Sequence, residues 1–170
     1  MSLPPPKPFQ ATLPPGRARA LPPATVVGGS LVTAWPVVAH GPILPPCGLL
    51  MLLAWRLLAP GSLRVWSPAL LGFADDLVSG QPLGSAVLLW TLAFFAIELS
   101  EQGQMFRSFS QDWRVAAGIV AGVLIAGRLI ASPVAAHVDL VLGMQIVASI
   151  LLFPTAARLC AWIDRKRGTA

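Results

Sequence analysis

Asp75, Asp76, Arg128 and Asp139 sit inside apolar stretches of this 170-residue sequence. An ionised side chain in hydrocarbon costs at least about 2.5 kcal/mol unless it is paired or solvated. Such residues can lock helices together as a charge-satisfied packing cluster, carry a proton or a bound substrate, or form a patch for a partner. Gly72, Asp76 and Gly80 recur at i, i+4 and i+8, which places them along one face of a helix. Small residues on either side of an acid let a neighbouring backbone approach closely. Asp75 points about 100° away from Asp76 around that helix, so the two acids are expected to face different partners.

Little else in the chain could do chemistry. Cys47 and Cys160 fall in different segments and neither belongs to a C-x-x-C pair; they read as buried small apolar residues. His40 and His137 stand at outer loop ends with no third ligand nearby, so no metal site is expected. Glu98, Glu101 and Asp112 surround Arg107 and read as a solvated loop. There is no Gly-x-Ser-x-Gly elbow, P-loop, His-Glu-x-x-His or haem-ligand pair. The loops are too short to build a soluble catalytic domain. The expectation is a protein that is not an enzyme, with no catalytic residues, no metal and no cofactor.

The elements that position these residues follow from composition. Apolar residues make up 55% of the chain and charged residues 11%, with a mean hydropathy of +0.72. A typical soluble domain is about 25% charged. This chain cannot cover a water-facing surface, and a lipid-facing one does not need that charge. A net charge of +5 and a pI of about 10.6 would suit nucleic acid. The basic residues, however, lie in gaps between apolar runs and form no stripe interleaved with aromatics, which is the pattern of membrane topology.

Residues 1–23 hold eight of the 17 prolines, with Lys7, Arg17 and Arg19 as their only charges. They read as a disordered, polyproline-like cytoplasmic tail. Prolines interrupt the start and no clear small-x-small site follows the first apolar run, which argues against a cleaved signal peptide. A helical domain over 24–163 follows, with apolar segments at about 24–42, 43–58, 65–80, 83–99, 113–131 and 138–159, and then a basic cytoplasmic tail at 164–170. The first segment is the weakest, broken by Gly28, Gly29 and Pro36. Several are shorter than the about 20 residues that cross a bilayer.

With a cytoplasmic N-terminus, eleven of the twelve Lys and Arg fall on the inner side and none in an outer loop. That asymmetry predicts an all-α polytopic inner-membrane protein with both termini cytoplasmic. It has six transmembrane helices, or five if the first segment does not cross. Trp55, Trp66, Trp113 and Trp162 land at the inner interface, where amphipathic rings prefer to sit. The same topology puts Asp75, Asp76, Arg128 and Asp139 at one level below the outer surface, so they are expected to form one buried polar cluster.

The stretch Gly72-Phe73-Ala74-Asp75-Asp76-Leu77-Val78-Ser79-Gly80-Gln81-Pro82-Leu83-Gly84 resembles the hallmark of the bacterial rod shape-determining protein MreD family. That hallmark is a Gly, an Asp four residues on, a Gly four after that, then Pro-Leu-Gly. On this pattern Gly72, Asp76, Gly80, Pro82 and Gly84 are the motif residues, for partner binding or for structure, and Asp75 is an extra acid. Trp55-Arg56 near the end of the second segment, and Pro154 followed by a basic tail, also resemble the family. The resemblance covers roughly residues 40–165 and does not extend to the proline-rich tail. It implies a non-enzymatic inner-membrane subunit of the cell-elongation (rod) complex, acting in cell shape and peptidoglycan synthesis. The implied partners are MreC directly, and indirectly MreB, RodA and its partner transpeptidase. The Gly72–Asp76–Gly80 face would help form the groove that receives the MreC helix. The family is also similar in architecture to the substrate-binding subunits of vitamin transporters. The competing reading is therefore a small-molecule-binding membrane subunit of a transporter.

Overall fold

The computed structural model describes residues 16–34, 45–80, 82–101, 109–131 and 140–168. Among the described residues it contains no strand and six helices: α1 (Gly16–Ala34), α2 (Cys47–Leu58), α3 (Ser67–Ser79), α4 (Ser85–Glu101), α5 (Phe109–Ala131) and α6 (Leu140–Gly168). Each overlaps one apolar segment of the sequence, in order. Two boundaries differ from the sequence expectation. Helix α1 begins at Gly16 and carries Pro22 and Pro23 inside it, so residues 16–23 are not part of an unstructured tail. Each proline removes one helical hydrogen bond, but Pro22 is fully buried and its carbonyl accepts the Thr25 hydroxyl at 2.8 Å. At the other end α6 continues through Asp164, Arg165 and Lys166 to Gly168. The basic segment is an extension of the last helix, with the Lys166 ammonium 4.1 Å from the centre of the Trp162 ring.

Helix α2 is apolar on every side, and a helix of that kind must be buried all round. Leu49, Leu50, Leu52, Leu53, Ala54 and Trp55 are at most 1% exposed, with α1, α4, α5 and α6 packed around them. Helix α1 runs antiparallel to α2. A Cβ at Gly29 would lie 3.0 Å from the carbonyl carbon and oxygen of Cys47. The glycine that weakens the first segment as an apolar run is thus a point where α2 comes close. Trp55 is fully buried within the bundle, where Thr25 of α1 supplies an acceptor for its indole N–H at 2.8 Å.

The outer surface is apolar too. Helix α4 turns Leu88, Leu92, Phe95 and Leu99 outward, each 53–59% exposed, and α3 does the same with Leu70, Phe73 and Leu77. Soluble monomers rarely expose continuous stripes of this kind, whereas lipid chains accept them. Among the described residues, two helices, over Phe109–Ile130 and Leu140–Lys166, are long and apolar enough to cross a bilayer. The 12 residues of α2 rise only about 18 Å at about 1.5 Å per residue. A bilayer's hydrocarbon core is about 30 Å thick.

Candidate functional site: a buried aspartate closing the α3–α4 hairpin

The family-like stretch folds as one helix–turn–helix unit. Pro68 near the start of α3 suits a first helical turn, where its missing N–H leaves no gap. One turn later α3 meets α4 at Gly72. A Cβ there would stand 2.7 Å from the Ala86 carbonyl oxygen and 2.8 Å from the Val87 nitrogen. Those atoms are backbone and cannot swing aside. A further turn along, Asp76 is 1% exposed. Its Oδ2 accepts the Gly84 N–H at 2.8 Å, and its Oδ1 accepts the Ala86 N–H at 2.9 Å and the Ser85 hydroxyl at 3.1 Å. The Val87 N–H also points at Oδ2, at 3.5 Å.

The chemistry is that of a helix cap supplied from the preceding helix. The first turn of every helix leaves N–H groups without partners, and α4 has no acid of its own there. Asp76 provides both the acceptors and the negative charge that the positive end of the helix dipole favours. The turn between the helices needs two residues in the left-handed region. Gly80 ends α3 at φ 66 and Gly84 precedes α4 at φ 94, conformations that a Cβ disfavours. The Pro82 carbonyl accepts the Ser85 N–H at 3.0 Å. Gly72, Asp76, Gly80, Pro82 and Gly84 therefore meet in one hairpin.

Of the residues expected in the larger polar cluster, Asp75 and Asp76 are described on α3 and Arg128 on α5. Asp75 is half-buried and pairs with the side chain of Ser30 in α1. Arg128 is exposed in the last turn of α5, where a cation complements the helix dipole. Helix α3 packs on α4 and α1, whereas α5 packs on α6, α4 and α2. Among the described residues, the donors to Asp76 all come from the α3–α4 unit. Asp139 lies outside the described residues, as do His40, His137 and Arg107. Among the described residues no three His, Cys, Asp or Glu side chains gather as a metal could require. The Arg56 guanidinium is buried, 4.9 Å from the centre of the Phe94 ring.

A second built feature escaped sequence reasoning. Pro154 lies inside α6 and has no N–H to give the carbonyl four residues earlier, that of Ile150. The Trp113 indole N–H of α5 donates to that carbonyl at 3.1 Å. In hydrocarbon a freed backbone carbonyl needs such a partner. The signal was present in the sequence: an intrahelical proline marks an orphan acceptor at i−4. Trp113→Phe keeps the ring and removes the donor, so it should cost on the order of 1 kcal/mol, read as a lower unfolding temperature in detergent. In a Pro154→Ala background the helix restores its own bond and the same change should be nearly neutral. An equal cost in both backgrounds would show that Trp113 does not serve this carbonyl.

Helices that are apolar both at their shared core and on their outer faces define an integral membrane helix bundle. Residues 28–162 match the family model described as rod shape-determining protein MreD. The chain belongs to that family and so is a membrane protein of cell-shape determination, with a role in the rod shape complex. No curated protein and no solved structure matches it.

Proposed function

We propose that the protein is a non-enzymatic inner-membrane subunit of the bacterial cell-elongation complex. It binds MreC and, through it, helps couple MreB filaments to RodA and its partner transpeptidase during peptidoglycan synthesis. The observation that carries this reading is the family match over residues 28–162. The geometry of the hairpin is compatible with a scaffold. Asp76 is the one fully buried acid among the described residues, and its carboxylate is engaged by backbone and hydroxyl donors rather than left open to a substrate. Gly72 and Asp76 face α4, so the motif serves a partner by shaping the hairpin rather than by touching the partner. A transporter-like ligand pocket lined by Asp75, Asp76, Arg128 and Asp139 would need the Asp76 carboxylate open to a ligand, whereas Gly84, Ser85 and Ala86 already donate to it.

The test is affinity capture of the tagged protein from detergent-solubilised membranes. A single-span MreC-like protein is expected to co-purify. A bound metabolite without such a protein would contradict the scaffold reading and favour a transporter subunit. The proposal includes six spans with both ends cytoplasmic, motivated by the eleven inner-side basic residues. Reporters fused before Met1 and after Ala170 should both be cytoplasmic. A periplasmic N-terminal reporter would leave five spans.

A further inference from the structure

We propose that α2 and α6 form a binding site for an anionic phospholipid, with an acyl chain in the groove between them and the phosphate at Lys166. A cavity of about 210 Å³ opens between the two helices, with Leu50, Met51, Leu152, Thr155 and Leu159 in its walls. The Thr155 hydroxyl is turned back to the Leu152 carbonyl of its own helix. A water molecule needs two to four polar partners, and these walls give it none. Leu152 and Leu159 are 38% and 44% exposed, so the groove opens sideways, where a membrane protein meets lipid chains. Its walls take in about one turn of α2 and two of α6. A transmembrane helix packs along a longer seam than that, whereas a single hydrocarbon chain fits within it.

The headgroup end follows from the register of α6. Thr155, Leu159, Trp162 and Lys166 recur at i, i+4, i+7 and i+11 and so share one stripe of the helix. Lys166 stands about 16 Å along the axis from Thr155, and half of a bilayer's hydrocarbon core is about 15 Å. A phospholipid with its phosphate at Lys166 therefore reaches the groove with the far end of its acyl chain. Trp162, on which Lys166 is stacked at 4.1 Å, is an interfacial ring of the kind that sits at headgroup level. Arg158 and Arg165 are exposed on the same helix. This stretch carries one acid, Asp164, against three bases, and that sign selects an anionic headgroup.

The full chain, purified in mild detergent, should retain phosphatidylglycerol in preference to phosphatidylcholine when both are supplied and the complex is weighed by native mass spectrometry. Lys166→Glu should lower phosphatidylglycerol retention at least about fivefold, the factor that corresponds to about 1 kcal/mol per basic residue near an anionic surface. Leu159→Trp, which fills the groove from a partly exposed position, should reduce retention without changing the helical content. Equal retention of the two lipids, or of phosphatidylglycerol by the wild type and both variants, would overturn the site. A photo-crosslinking residue in place of Leu159 identifies the occupant in cells. An adduct with the mass of a phospholipid is expected, and an adduct to a polypeptide would overturn the lipid in favour of a partner helix.

Discussion

Asp76→Leu is expected to remove most of the folded protein from detergent extracts. The substitution leaves the Gly84 and Ala86 N–H groups and the Ser85 hydroxyl without an acceptor. A buried donor left unsatisfied costs about 1–3 kcal/mol, so the three together come to about 3 kcal/mol or more. That is a large share of the about 5–15 kcal/mol by which a folded protein is stable. Asp76→Asn should fall between wild type and leucine. One amide oxygen can still accept, while its NH₂ turns a donor toward a donor. Arg128→Leu should add independently to Asp76→Leu, because among the described residues the donors to Asp76 come from the α3–α4 unit. Unfolding temperatures of the two single variants and the double variant check this. A coupling above about 0.5 kcal/mol would show that they interact.

Gly72→Leu should be nearly as damaging, for a different reason. Its Cβ alone would meet the Ala86 backbone at 2.7 Å, so even Gly72→Ala must push α3 and α4 apart. Overpacking costs about 1–3 kcal/mol where side chains can adjust, and here the obstacle is main chain. The loss should appear in the isolated protein, as a lower unfolding temperature before any partner is added, and cells that depend on the variant should round up. A Gly72→Leu protein that is as stable as wild type yet fails to capture its partner would return this face to the role of a docking surface.

How much of this was legible in the sequence differs residue by residue. The apolar runs place all six helices, because that pattern is written locally. The spacing of Gly72, Asp76 and Gly80 puts them on one face of α3, but not which neighbour that face meets. The neighbour is the chain's own α4, and a hint lay in the lack of an acid in the first turn of α4, which left a helix start in need of an acceptor. Charge distribution gave Asp76 and Arg128 a common depth. It carried no information about direction around the bundle, so it could not tell that the Asp76 carboxylate is taken up by donors at the start of α4. The topology gives Trp55 a depth, whereas its burial inside the bundle depends on Thr25, thirty positions away. Pairings of that range are set by packing and leave no periodic trace.

The central structural claim is that Asp76 closes the start of α4, and amide hydrogen exchange at Gly84 and Ala86 tests it most directly. Both N–H groups precede or open the helix, where no intrahelical acceptor exists, so any strong protection must come from elsewhere. In detergent micelles the wild-type protein should protect these two amides about as well as amides in the middle of α4. In Asp76→Asn the Gly84 amide should exchange much faster while the mid-helix amides stay slow. Fast exchange at Gly84 and Ala86 in the wild type, or unchanged protection at both in Asp76→Asn, would contradict the cap.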